Sequence, residues 1–162
     1  RWFPISNQPE DTFVAGLSMG GYGALKLGLT YPERFGGVGA FTAVTMPDQV
    51  YEANWGPNDA EDREKMEKNL RNVFGEDRYQ QKDLPMCLLD RCVKEKKKVP
   101  PIFLYEGRQD LLYGMNQKFY RKAKDYGLDI TYEEWDGGHN WDFWDAAVKK
   151  VLDAFPLKNE AL

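Results

Sequence analysis

The fold is decided by one stretch, Thr-Phe-Val-Ala-Gly-Leu-Ser-Met-Gly, at residues 12–20. Its apolar first part, Thr12 to Leu17, predicts a buried parallel strand. Its second part matches Gly-x-Ser-x-Gly, and the residues that follow, Gly20 to Tyr31, predict a helix that stops before a proline. This motif between a strand and a helix is typical of a nucleophile elbow. We therefore expect the Ser18 hydroxyl to stand clear of the C-terminal end of a strand.

The same turn predicts a place for a negatively charged oxygen. We expect no room for side chains at Gly16 and Gly20, because strand and helix backbones nearly touch there. The Met19 amide lies at the helix N-terminus, where free N–H groups favour negative charge, so we assign it to an oxyanion hole. A glycine-rich turn can also bind phosphate, but no Lys-Ser/Thr pair follows these glycines.

The rest of the chain alternates between strand and helix patterns. Strands are predicted at Gly36 to Val44, Ile102 to Tyr105 and Ile130 to Trp135, and helices at Asn116 to Tyr126 and Trp141 to Phe155. This alternation implies a parallel sheet with helices on its faces, so the predicted fold class is α/β.

Residues 46–100 depart from this alternation. Prolines punctuate the segment, no β-run appears in it, and helices are predicted at Asp59 to Phe74 and Leu84 to Val93. The first helix carries an apolar stripe made of Met66, Leu70, Val73 and Phe74. We interpret 46–100 as a mostly helical insertion, lid or substrate wall within a single domain, 1–162.

Composition excludes several classes of protein. The chain has 162 residues, 42% of them hydrophobic, and a net charge of −4. We therefore expect no nucleic-acid or membrane partner, and no apolar run approaches the roughly 20 residues that span a bilayer. No cluster of ligands suggests a metal, and no cofactor is expected. Cys87 and Cys92 are five residues apart, which on a helix points them to different faces. Free thiols favour a reducing compartment, so a cytoplasmic location is expected.

A serine nucleophile needs a base, and the chain contains a single histidine, His139. It follows a predicted strand through Gly137-Gly138, in a loop that can turn the ring back toward the sheet. An imidazole titrates in the range needed to take a proton from Ser18 near neutral pH.

His139 in turn needs an acid to fix its tautomer. Asp110 lies just past a predicted strand, and Ser18, Asp110 and His139 occur in the order of an α/β-hydrolase triad. All three follow strands at their C-terminal ends, where open parallel sheets place their sites. The competing acids are Glu106, Asp136 and Asp142. Glu106 is too close to its strand to reach over it to His139. Asp136 and Asp142 are neighbours of His139 in the sequence, and we expect them to cap its loop and helix.

Three stretches together resemble the putative-esterase family of α/β-hydrolases. They are Gly-Leu-Ser-Met-Gly-Gly-Tyr-Gly-Ala-Leu at 16–25, Gly-Arg-Gln-Asp-Leu-Leu-Tyr at 107–113 and Gly-Gly-His-Asn-Trp-Asp-Phe-Trp at 137–144. The family includes tributyrin esterases, feruloyl esterases and S-formylglutathione hydrolases. Tyr22 stands where the formylglutathione branch has a histidine, so the chain looks more like the tributyrin and feruloyl branch.

The resemblance implies a serine carboxylesterase that acts on small-molecule short-chain acyl or hydroxycinnamoyl esters through an acyl-enzyme. It implies Ser18, Asp110 and His139 as the triad. Family members have a substantial N-terminal half before the elbow, so we expect this chain to be a C-terminal portion without the N-terminal strands. The apolar strand at Thr12 to Leu17 would then be an exposed edge, completed by an upstream segment or by a homo-oligomer.

Two alternatives stay open at this point. The same triad serves an acyltransferase, in which an alcohol replaces water. A hydrolase fold can also carry a non-catalytic binding module, because fold does not imply function. Two aromatic residues, Trp141 and Trp55, are candidates for the wall of the substrate pocket.

Overall fold

The structure, a computed structural model, describes residues 6, 8–47, 49, 60–75 and 80–157. Its centre is a parallel sheet of four strands in the order β1-β2-β3-β4. The strands are Phe13–Leu17 (β1), Gly37–Phe41 (β2), Ile102–Gly107 (β3) and Ile130–Trp135 (β4). The predicted α/β fold with a parallel sheet is confirmed.

Five α-helices occur in the described part of the chain. They are Ser18–Thr30 (α1), Ala60–Phe74 (α2), Pro85–Lys94 (α3), Tyr113–Asp125 (α4) and Trp141–Ala154 (α5). Helices α2 and α3 fall within 46–100. That this segment forms a lid or substrate wall stays a prediction.

Both faces of the sheet are covered. On one face, apolar side chains of α1, α3 and α4 pack against β2 and β3, with Leu25, Leu104 and Phe119 fully buried. On the other face, α5 packs its aromatic and aliphatic residues against Phe41 and Tyr105. This layering leaves the C-terminal ends of the strands free to hold loops.

Strand β1 lies at one edge of the described sheet. Most of its residues are half-buried rather than buried. The expected edge position of the 12–17 stretch is therefore observed.

Some predicted boundaries differ from the structure. Helix α1 begins at Ser18 instead of Gly20, and α4 begins at Tyr113 instead of Asn116. Strand β3 runs to Gly107 because β4 continues to pair with it as far as Trp135. Val73, predicted in an apolar stripe, is exposed.

Within the described ranges, no helix is long and apolar enough to cross a membrane. The same residues contain no group of three or more potential metal ligands. Both cysteines are free thiols, and Cys92 is buried.

Candidate active site

The turn from β1 to α1 holds Ser18 in a strained conformation. Its φ angle is 51°, in the left-handed region that residues with a side chain rarely adopt. A Cβ on Gly16 would overlap the backbone of Gly20, so the close approach predicted at Gly16 is real. The expectation for Gly20 was wrong, because a Cβ there would meet open space. The Ser18 carbonyl also accepts a hydrogen bond from the Val44 amide at 3.2 Å, which ties the turn to the segment that follows β2.

The three predicted triad side chains lie in hydrogen-bonding contact. His139 Nδ1 is 2.8 Å from Asp110 Oδ2, and His139 Nε2 is 2.9 Å from Ser18 Oγ. A carboxylate only accepts, so Nδ1 carries the proton and donates to Asp110. Nε2 of the neutral ring is then the acceptor and faces the Ser18 hydroxyl. This is the arrangement in which an imidazole can remove a hydroxyl proton.

Asp110 is held in place beside Nδ1 of the ring. Its side chain is fully buried, whereas that of His139 keeps 20% of its surface exposed. Its second oxygen, Oδ1, accepts a hydrogen bond from the Leu112 amide at 2.8 Å. Both carboxylate oxygens are therefore engaged, which fixes the direction in which Oδ2 meets the histidine.

Direct contacts join the loop that carries the acid to the loop that carries the base. The Gln109 amide donates to the Gly137 carbonyl at 3.0 Å, and the Gly137 amide donates to Gln109 Oε1 at 2.6 Å. A Cβ on Gly107 would overlap the Gly137 carbonyl, so only glycine permits this approach. Gln109 thus ties the loop that carries Asp110 to the loop that carries His139.

The competing acids have other surroundings. Asp136 is exposed and pairs with Arg108 at 3.2 Å, and Asp142 is also exposed. The cap of α5 is Asn140, whose Oδ1 accepts from the Phe143 amide at 3.1 Å. The expectation that Asp136 and Asp142 act as caps was therefore wrong. Asn140, which directly follows His139, caps the helix instead.

Glu106 is a buried acid beneath the site. It has no exposed surface, and no side chain of the described residues hydrogen-bonds to its carboxylate. Burial, together with the negative charge of nearby Asp110, raises the pKa of Glu106 to about 9. Glu106 is consequently neutral at pH 7. It adds no charge beside Asp110, and it is Asp110 that contacts His139.

The remaining predicted site residues lie as follows. Met19 is the second residue of α1 and 37% exposed, directly after Ser18. Trp141 opens α5 and is 73% exposed, two residues after His139. Trp55 lies outside the described residues.

Sequence reasoning missed the residues that support the triad. Gln109 precedes Asp110 and Asn140 follows His139, so adjacency to a candidate was the only available signal. The hydrogen bond between Thr42 and Trp144 could not be predicted in this way, because the two residues are 102 positions apart in the sequence.

Comparison with known proteins gives consistent matches over nearly the whole chain. The sequence profile of a family described as "Putative esterase" matches residues 3–155. An acetyl esterase from Caldicellulosiruptor saccharolyticus is 36% identical over 156 residues, which are 94% of this chain and 56% of that protein.

Two solved structures from Staphylococcus aureus are similar in fold. An S-formylglutathione hydrolase superposes with a TM-score of 0.75 and 31% identity, covering 94% of this chain and 57% of its own. A fluorophosphonate-binding serine hydrolase gives a TM-score of 0.74 and 30% identity, covering 95% and 57%. The chain therefore spans somewhat more than half the length of these relatives.

Proposed function

This chain belongs to the putative esterase family, and from that premise we propose that it hydrolyses carboxylic esters through Ser18, His139 and Asp110. The observation that carries the proposal is the 2.9 Å contact between Ser18 Oγ and His139 Nε2, with Asp110 on the other ring nitrogen. A free serine hydroxyl is a weak nucleophile near neutral pH, and an oriented imidazole is what activates it.

The first half of the reaction forms an acyl-enzyme. Ser18 Oγ attacks the ester carbonyl carbon while His139 Nε2 takes the hydroxyl proton. The carbonyl oxygen becomes negative, and the Met19 amide is proposed to donate to it. The tetrahedral intermediate collapses, the alcohol leaves with the proton from His139, and the acyl group stays on Ser18.

The second half returns the enzyme to its starting state. A water molecule enters the site and gives a proton to His139 as its oxygen attacks the acyl carbon. The carbon–Oγ bond breaks, Ser18 recovers its proton from His139, and a carboxylic acid is released. Throughout, Asp110 stabilises the positive imidazole while remaining ionised.

We propose short-chain acyl esters as the substrates, with acetate as the first acyl group to test. The acetyl esterase that shares 36% identity with this chain supports that choice. The hydrolysis reading is tested with p-nitrophenyl acetate and butyrate. We expect both esters to be cleaved and the activity to be lost after treatment with a serine-directed fluorophosphonate. Cleavage that persists in the fully treated protein would contradict the proposed mechanism.

A second substrate class, hydroxycinnamoyl esters, is favoured by Trp141. Its indole is 73% exposed beside the site, which is unusual for so large an apolar side chain and provides a face on which an aromatic acyl group can stack.

We expect Trp141→Ala to raise the KM for methyl ferulate about 5- to 10-fold, because one aromatic contact contributes about 1 kcal/mol. The KM for p-nitrophenyl acetate, whose acyl group has no ring, should change less than 2-fold. Steady-state kinetics on both esters checks this, and an equal change for the two would remove Trp141 from the acyl pocket.

We also propose that the open edge of β1 is covered in the whole protein, by a further segment or by a second copy of the chain. The support is its place at the edge of the described sheet and the 56% coverage of the acetyl esterase relative. Light scattering and activity measurements on residues 1–162 test this. A stable monomer with full activity would contradict it.

A further inference from the structure

The catalytic histidine has a freedom that the triad contacts do not remove. Hydrogen bonds from Nδ1 and Nε2 hold two points of the His139 ring, to Asp110 and Ser18. A ring held at two points can still tilt about the line that joins them. The hydrogen bonds between Gly137 and Gln109 hold the backbone of the loop, but they do not touch the ring. A third contact is needed to fix the plane of the ring.

Trp144 provides that third contact. Its ring lies 4.9 Å from the His139 ring between centroids, at an interplanar angle of 83°. Trp144 is itself largely buried on α5 and also packs at 90° against Trp141. A perpendicular ring in contact resists the tilt that the two hydrogen bonds allow.

The Trp144 ring is held by Thr42. Indole Nε1 donates to Thr42 Oγ1 at 2.8 Å, and Thr42 is fully buried directly after β2. The Thr42 amide in turn donates to the Tyr105 carbonyl of β3 at 2.9 Å. The sheet is thereby connected, through Thr42 and Trp144, to the catalytic ring.

Thr42 has an unfavourable backbone conformation. Its φ angle is 38°, a conformation that is unfavourable for a β-branched residue by about 1–3 kcal/mol. Glycine or asparagine would suit that backbone better, but neither residue carries a hydroxyl group. The hydroxyl bonded to Trp144 is a reason for threonine to occupy this position.

From this geometry we infer that Thr42 and Trp144 form a positioning pair that fixes the plane of the His139 ring. This inference rests on the proposed function, since it assigns the pair to the same triad. The pair touches no reacting atom and meets the triad through His139; Trp144 also packs on Trp141, so the test uses an ester whose acyl group has no ring to stack there. It should therefore affect kcat, which depends on the aim of Nε2, and leave substrate binding alone.

The test uses variants that remove one side of the Thr42–Trp144 hydrogen bond with a small change of shape. Thr42→Val is isosteric and equally β-branched but removes the acceptor, and Trp144→Phe keeps a ring but removes the donor. Each should lower kcat for p-nitrophenyl acetate about 10-fold with KM within 2-fold of the parent. The double variant should be no slower than the slower single variant, because both changes break the same bond.

Two controls separate positioning from general loss of structure. Thr42→Ser keeps the hydroxyl, and its kcat should stay within 2-fold of that of the parent. Trp135→Phe alters an aromatic residue that stacks on Phe143 in the same cluster, and it should leave kcat unchanged. Thermal unfolding of all variants verifies that they are folded at the assay temperature.

The outcomes distinguish the two levels of the proposal. If the parent protein cleaves the ester and Thr42→Val matches it in kcat, the positioning pair is disproved while the triad stands. If Thr42→Ser is as slow as Thr42→Val, the hydroxyl is not the cause and the inference also fails. If the parent protein neither cleaves esters nor reacts with a fluorophosphonate, the proposed function itself fails.

Discussion

Replacing Ser18 with alanine is expected to lower kcat for p-nitrophenyl acetate by about 10⁵-fold or more, which leaves only the residual rate that substrate binding and the oxyanion donor support. The reason is chemical: without Oγ no acyl-enzyme forms, and His139 has no proton to remove from a nucleophile. The fold should survive, because the change deletes a single oxygen at a helix N-terminus. Steady-state rates and a thermal unfolding curve give both readouts.

The chain offers a matched control for this variant. It contains two serines, Ser18 and Ser6. Ser6 is exposed and donates a hydrogen bond to Asp11 at 2.6 Å, so it also lies beside a carboxylate but has no histidine partner among the described contacts. Ser6→Ala should retain parental activity. An active Ser18→Ala protein would end the triad assignment.

The second large effect is expected on stability, from Glu106. Its pKa in the folded protein is about 9, against an ordinary value of 4.5, because it is buried and lies near Asp110. A raised pKa means that the folded state binds a proton that the unfolded state releases. The stability that depends on this proton is fully present below pH 4.5 and is lost as the pH rises toward 9.

Glu106→Gln has an uncharged side chain at every pH and escapes this loss. The quantity to compare is the free energy of unfolding of the variant minus that of the parent. This difference should be about 3 kcal/mol larger at pH 7 than at pH 4, because pH 7 lies 2.5 pH units above the ordinary pKa of 4.5 and each unit is worth about 1.36 kcal/mol. Comparing the two pH values cancels any constant cost of placing an amide there. Urea unfolding at pH 4 and pH 7 measures the difference.

The control for this experiment is an exposed glutamate. Glu33 lies on the surface in the short turn after α1, and Glu33→Gln should change the free energy of unfolding by a similar small amount at both pH values. If Glu106→Gln also behaves identically at pH 4 and pH 7, Glu106 is not a buried neutral acid.

The convergence of Ser18, Asp110 and His139 could be predicted from the sequence because each of the three residues has a local signature. Ser18 lies in Gly-x-Ser-x-Gly between an apolar run and a helix pattern, and His139 is the single histidine of the chain. Asp110 was separated from its competitors by its place just past a strand. These signals are confined to a few neighbouring residues, which is why one sequence suffices to find them.

Other features depend on contacts between distant residues and could not be predicted. Strand β3 extends as far as Glu106 and beyond because β4 continues to pair with it there, with Glu106 opposite Glu134. A glutamate at a strand end ordinarily indicates an exposed position, so the buried acid was missed. The bond from Trp144 to Thr42 likewise exists only once α5 packs on the sheet. Trp55 has no structural test, because it lies outside the described residues.

The most direct measurement is the identification of the residue that a fluorophosphonate modifies. The protein is labelled, digested and mapped by mass spectrometry, with the peptides of Ser18 and Ser6 compared. We predict one adduct, on Ser18, that forms much more slowly in His139→Ala and is absent from Ser18→Ala. An adduct on any other residue, or ester cleavage by a protein that carries no label at Ser18 after full treatment, would contradict the assignment of Ser18 as the nucleophile.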